Sequence, residues 1–137
     1  MGRFSVEFEV SNYQDEMAVR LGTLDPAKVR RARISGVVDS GASELVLPEK
    51  VVKELGFTKG PRIKVKYADG RRGTRDLVDD VRLEMLGRRG TFQAIVEPQR
   101  KDALIGAIVL EVLDFLPDCK RQRLVPRDPK FILGEIE

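Results

Sequence analysis

Val37-Val38-Asp39-Ser40-Gly41-Ala42-Ser43 is the stretch on which the fold turns. Two apolar residues close a strand-like segment, and a run of small residues carries a single carboxylate out of it. Asp-Ser-Gly by itself is ordinary turn chemistry, since all three residues favour tight bends. The setting is less ordinary. A charged side chain at the inner end of a buried strand is costly unless a cleft solvates it or hydrogen bonds hold it, so its position points to use.

Upstream, Phe4, Val6, Phe8 and Val10 alternate with Ser5, Glu7 and Glu9, the period of a half-buried strand. Met17, Val19 and Leu21 repeat that alternation and predict a second strand, before Arg30, Arg31 and Arg33 lead into Ile34. Downstream, Pro48 opens a short helical pattern with Val51, Val52 and Leu55 on one face and Gly56 at its stop. Ile63, Val65 and Tyr67 alternate toward Asp69-Gly70, a strong hairpin signal because glycine tolerates positive φ. Val81, Leu83 and Met85 face Phe92, Ala94 and Val96 across Gly87-Arg88-Arg89-Gly90, a second hairpin. Then follow Ala103-Leu104-Ile105-Gly106, a brief helix over 108–113 and a last strand over 121–125. Short strands, frequent turns and one or two short helices predict an all-β fold, a small barrel or folded sheet.

The chain has 137 residues, 42% of them hydrophobic, enough for one core and one domain. Lys+Arg 25 against Asp+Glu 22 gives a net charge of +3, too balanced to indicate nucleic acid. Aromatic platforms for stacking bases are also scarce, with two tyrosines and no tryptophan, so no nucleic-acid partner is expected. The single cysteine, Cys119, excludes an internal disulfide and fits a reducing compartment. No apolar run approaches the roughly 18 residues of a membrane span, and no signal-like apolar core follows Met1, so a cytoplasmic protein away from membranes is expected. Histidine is absent, which disfavours imidazole-based serine and cysteine hydrolases and most zinc enzymes. If the protein is a hydrolase, carboxylates are the natural catalytic groups.

At the Asp39 loop the pattern resembles the active-site motif of the retroviral-type (retropepsin-like) aspartic peptidases, in which two apolar residues precede Asp-Thr/Ser-Gly-Ala. Leu104-Ile105-Gly106 is similar to that family's second signature, and the hairpin at 67–73 falls where the family has its flap. The likeness runs over residues 4 to 125 and is nearest to single-domain microbial and cellular members. It implies an acid-protease barrel over 1–125, a tail over 126–137, and activity as a C2 homodimer. It implies Asp39 as the catalytic carboxylate, with Ser40, Gly41 and Ala42 supporting the active-site loop. Tyr67, Ala68, Asp69 and Gly70 would form the substrate-covering flap, and Leu104, Ile105 and Gly106 the second signature. Two departures stand out: Ser43 and Ala107 replace an aspartate and an arginine whose pairing supports the viral dimer. The apolar end Phe131, Ile132, Leu133 either packs on the partner subunit instead or is a surface tail.

An aspartic peptidase needs one ionised and one protonated carboxylate a few Å apart, and one Asp-Ser-Gly per chain implies two copies. Activity is then expected in the acid to neutral range, on a peptide or unfolded protein substrate, with no metal, nucleotide or organic cofactor. Arg71, Arg72, Arg88, Arg89, Lys120, Arg121 and Arg123 read most simply as a solvated face, with a preference for acidic peptides as the sharper alternative. The rival function is a non-catalytic dimeric peptide-binding module on the same fold. An intact Asp-Ser-Gly-Ala speaks against it.

Overall fold

The computed structural model describes residues 3–132 and 134–137. In chain order the elements are β1 (Phe4–Asn12), α1 (Tyr13–Arg20), a 3-10 turn (Pro26–Lys28), β2 (Arg31–Val38), β3 (Leu45–Pro48), α2 (Glu49–Leu55) and β4 (Lys59–Lys66). They continue with β5 (Arg72–Met85), β6 (Arg88–Glu97), β7 (Ala103–Ile105), α3 (Ala107–Leu113), β8 (Phe115–Asp118) and β9 (Arg123–Pro126).

Six strands close on themselves in the order β1-β2-β7-β3-β6-β5, with β5 pairing back to β1, while β4 hangs outside on β5. Closure removes the unpaired strand edges an open sheet would expose. The alternation read in β1 has a physical counterpart: Phe4, Phe8 and Val10 point into the ring and are buried, where they meet Leu45, Leu47, Leu83 and Ile105. Gly36 in β2 is required by that packing, because a Cβ there would lie 2.7 Å from the Phe8 ring. β5 is long enough to serve two structures. Its second half belongs to the barrel, its residues 72–76 pair only with β4, and a register break between Val78 and Val81 with Asp80 at φ 58 lets it bend.

The expected strand over Met17, Val19 and Leu21 is instead α1. Asn12 caps it by accepting from the Asp15 N–H at 3.2 Å, Asp15 and Glu16 occupy its first turn, and Leu21 lies beyond its end, 74% exposed. Three apolar residues at alternate positions were outweighed by a cap and a favourable charge at the helix start. The Asp15 carboxylate accepts from Arg30 at Nε (2.8 Å), at Nη2 (2.9 Å) and at its backbone N–H (2.9 Å). These bonds, chiefly the side-chain one, hold its carboxyl below the ordinary aspartate value against the opposing effect of burial. The unfolded chain therefore binds more protons in acid, and this contribution, present above the unfolded value of about 4, is lost as pH falls through the folded one. Asp15→Asn is expected to lower the urea midpoint at pH 7 and to flatten its decline between pH 5 and pH 3, as measured by circular dichroism.

α2 starts one residue after the predicted proline, which sits at its N-cap, and ends on Gly56 in the left-handed conformation (φ 64). The second hairpin turns on Leu86 and Gly87, with φ 50 and 81, so the loop has two residues and not four. Arg88 and Arg89 thereby enter β6. Beyond α3, a hairpin of β8 and β9 forms a separate two-stranded sheet in which β8 was not foreseen.

Candidate active site

β2 runs parallel to β7, with Val37 opposite Leu104 and Val38 opposite Ile105, and the loop of residues 39–44 starts where that ladder ends. Backbone bonds hold this loop from three sides. The Asp39 N–H donates to the Ile105 carbonyl (3.0 Å), and the Ala42 N–H to the Asp39 carbonyl (3.1 Å). The first amides of α3 then donate outward, Ala107 to the Ala42 carbonyl (2.8 Å) and Ile108 to the Ser43 carbonyl (3.0 Å). Amides that an α-helix leaves without partners thus fasten the loop to α3. Gly106 makes the contact possible, since a Cβ there would fall 2.3 Å from the Glu44 carbonyl oxygen. Ile105 is fully buried beneath the loop and Leu104 partly so.

The Asp39 side chain is 18% exposed, and its Oδ1 accepts the Gly41 N–H at 3.0 Å. Its Oδ2 lies 3.2 Å from the guanidinium of Arg3, just before β1. Asp39 opens into a cleft of about 500 Å³ whose floor is Asp39, Gly41, Ala42, Ser43 and Glu44. Val46 and Ile95 of the barrel, Val65, Lys66, Tyr67 and Ala68 of the β4–β5 hairpin, and Glu97 complete its lining. Ser40 is exposed on another surface, beside Ala107, Leu110, Leu116 and Pro117.

The structure thus brings together Asp39, Gly41, Ala42, Tyr67 and Ala68. Asp69 and Gly70 form the exposed tip of the turn and do not line the cleft. That turn is closed by the Tyr67 N–H donating to the Arg71 carbonyl (2.8 Å) and the Gly70 N–H to the Tyr67 carbonyl (2.9 Å), with Gly70 at φ 90. Arg71 donates to the Asp69 carboxylate from its backbone (3.0 Å) and from Nε (2.7 Å).

Two clusters escaped the sequence reading. The Glu97 carboxylate accepts from the Tyr67 hydroxyl (2.6 Å) and from Arg75 Nε (3.0 Å), and its bond to Tyr67, aided by burial, pushes the phenol up from its usual value. Nothing local links positions 67, 75 and 97. Arg88, read as a turn residue, is 7% exposed and donates to the carbonyls of Leu113 (2.8 Å), Asp114 (2.9 Å) and Asp128. Its guanidinium lies 5.0 Å from the Phe115 ring centre and 4.3 Å from that of Phe131. Phe131 therefore packs against a residue of its own chain. Ile132 is exposed, and Leu133 lies outside the described residues. Arg71, Arg72, Arg89, Lys120, Arg121 and Arg123 are exposed, and none lines the cleft.

Among the described residues no group of three or more His, Cys, Asp or Glu side chains is placed to hold a metal ion. Among them, too, no helix is long and apolar enough to cross a membrane.

Residues 25–109 match the family model described as aspartyl protease. No curated protein matches the chain. Among solved structures, the chain is similar to an EIAV protease complexed with the inhibitor HBY-793, at 17% identity and a TM-score of 0.47, over 58% of this chain and 75% of that chain.

Proposed function

Because the chain belongs to the aspartyl protease family, we propose that it hydrolyses peptide bonds with a water activated between two Asp39 carboxylates, one from each subunit of a homodimer. The observation that carries this reading is the placement of Asp39. It is the carboxylate of a small-residue loop at the floor of a cleft, accepting a loop amide and open to the space where a peptide would lie. Glu97, a second carboxylate of the cleft, is engaged by Tyr67 and Arg75, so in this reading the partner carboxylate comes from a second copy of the chain. One carboxylate takes a proton from water and the other, protonated, polarises the scissile carbonyl, so a twofold axis beside Asp39 completes the site.

A surface suited to that axis adjoins the loop. Ser40 borders α3 and β8, where Ile108, Val112 and Leu116 are exposed at 41%, 44% and 49%. Covering these side chains in a dimer would bury apolar surface next to the site. Formation of the pair also requires Arg3 to leave Oδ2 or share it. In this reading Gly41 and Ala42 leave room for the substrate backbone, Ser40 hydrogen-bonds across the axis, and the flap of residues 67–70 closes on the substrate. Leu104, Ile105 and Gly106 support the loop from below. The domain spans 1–125, with 126–137 as its tail.

The test couples cleavage to assembly. Hydrolysis of an unfolded protein such as casein, measured from pH 4 to 8 and inhibited by a transition-state mimic of pepstatin type, is expected to rise faster than linearly with enzyme concentration near the dimer dissociation constant. Leu116→Asp places a charge on both faces of the interface and should weaken the dimer about a hundredfold by sedimentation, with cleavage falling in parallel and circular dichroism unchanged. Full activity per subunit in a monomeric Leu116→Asp would overturn the dimeric mechanism. Absence of cleavage under every condition would overturn the enzyme.

A further inference from the structure

The β4–β5 hairpin is joined to the barrel by its backbone only at its base. The β5–β6 ladder ends at the pair Leu77 and Ile95, and from Asp76 to Arg72 β5 pairs with β4 alone, in the register Arg62 to Asp76 through Lys66 to Arg72. The outer hairpin is therefore a cantilever. Salt bridges of Asp76 with Lys59 and Arg62 stay within it and do not restrain its swing.

Glu97 supplies the missing tie. It is the last residue of β6, its backbone set beside Pro48 of β3, and its side chain is 13% exposed at the side of the cleft. Both of its oxygens are engaged by the hairpin, Oε2 by the Tyr67 hydroxyl at 2.6 Å and Oε1 by Arg75 Nε at 3.0 Å. Arg71 and Arg75 also lie 4.9 and 5.7 Å from the centre of the Tyr67 ring. Hydrogen bonds to an ionised acceptor are shorter and stronger than neutral ones, and this one is shielded from water on most sides. A carboxylate so occupied is not free to select a basic substrate side chain. Its two bonds instead set the height of the hairpin over Asp39.

We propose that Glu97 is a positioning residue, a latch that through Tyr67 and Arg75 holds the flap hairpin in its closed pose over the cleft and so controls how tightly peptide is retained. Resting on the peptidase reading above, this adds a specific pair of contacts that must part for substrate to enter and re-form once it is bound. Removing them shifts the hairpin's population toward open states. Substrate retention suffers, while the chemistry at Asp39 in the fully closed complex does not.

Tyr67→Phe keeps the ring and deletes the donor, and Glu97→Gln keeps an acceptor and deletes the charge. Amide hydrogen exchange over residues 60–76 is expected to speed about tenfold in both variants, with barrel amides and the urea midpoint unchanged. In casein-derived peptide cleavage Glu97→Gln should raise KM about tenfold while kcat stays within twofold. The chain has two tyrosines and no tryptophan, so in a Tyr13→Phe background ultraviolet titration reads Tyr67 alone, which should ionise nearer its ordinary value in Glu97→Gln. Unchanged exchange over 60–76 in both variants overturns the latch whatever the kinetics. Faster exchange with no cleavage by any form supports the latch and overturns the peptidase reading instead.

Discussion

Asp39→Asn is expected to abolish peptide cleavage, lowering kcat by about 10³-fold or more, while leaving the protein folded. The amide matches the carboxylate in size and can still accept the Gly41 N–H that Oδ1 receives at 3.0 Å, so the loop keeps its shape. What disappears is the group that takes the proton from water. Loss of the exposed Arg3 partner should change stability by less than about 1 kcal/mol, because Arg3 is 66% exposed and the pair is screened. Asp39→Ala should be equally inactive. A stronger result comes from mixing. If each active site draws one Asp39 from each subunit, excess Asp39→Asn protein should suppress the wild type by forming mixed dimers, whereas a site complete within one chain would be indifferent. The pH profile carries the same message: a pair that works by sharing a proton should lose activity toward alkaline pH, and a rate still rising above pH 9 would exclude it.

Gly106→Ala should damage both stability and activity. The added Cβ would stand 2.3 Å from the Glu44 carbonyl oxygen, 2.7 Å from the Glu44 nitrogen and 2.8 Å from the Ser43 carbonyl carbon. All three are backbone atoms, so no rotamer change relieves the clash. The loop of residues 39–44 must lift from α3, at the expense of the bonds that Ala107 and Ile108 donate to Ala42 and Ser43. Overpacking of this kind costs about 1–3 kcal/mol, which should appear as a lower urea midpoint. Displacing Asp39 by an ångström should reduce kcat about a hundredfold further. Gly134→Ala, with nothing within 4 Å of the added carbon, is the control and should behave as wild type. If Gly106→Ala retained both stability and activity, the account of the second signature as a packing device would fail.

Much of this geometry was legible in the chain because it is local. The alternation of Phe4, Phe8 and Val10 is a property of strands, Gly56 stops α2 through its own positive φ, and Asp69-Gly70 turns the β4–β5 hairpin whatever surrounds it. α1 was misread for a local reason too. Three alternating apolar residues resemble a strand until the Asn12 cap and the Asp15–Arg30 pair are weighed. The choice of Leu86 and Gly87 for the two-residue turn moved Arg88 from an expected surface into a buried cage between Phe115 and Phe131. Sequence pattern does not register that shift, because two further residues in β6 leave the alternation of Phe92, Ala94 and Val96 unaltered.

From the sequence alone followed the family, through the resemblance carried by Val37-Val38-Asp39-Ser40-Gly41-Ala42, together with most of the strands, turns and glycines that frame that stretch. Barrel closure decided the rest. Pairing β2 with β7 set Gly106 under the Asp39 loop, and folding the β4–β5 hairpin back across β6 put Tyr67 and Arg75 on Glu97. The start of β1 delivered Arg3 to Asp39. Each of these contacts joins residues far apart in the chain, and the free energy that selects them is the burial of the shared core, a quantity no local stretch contains.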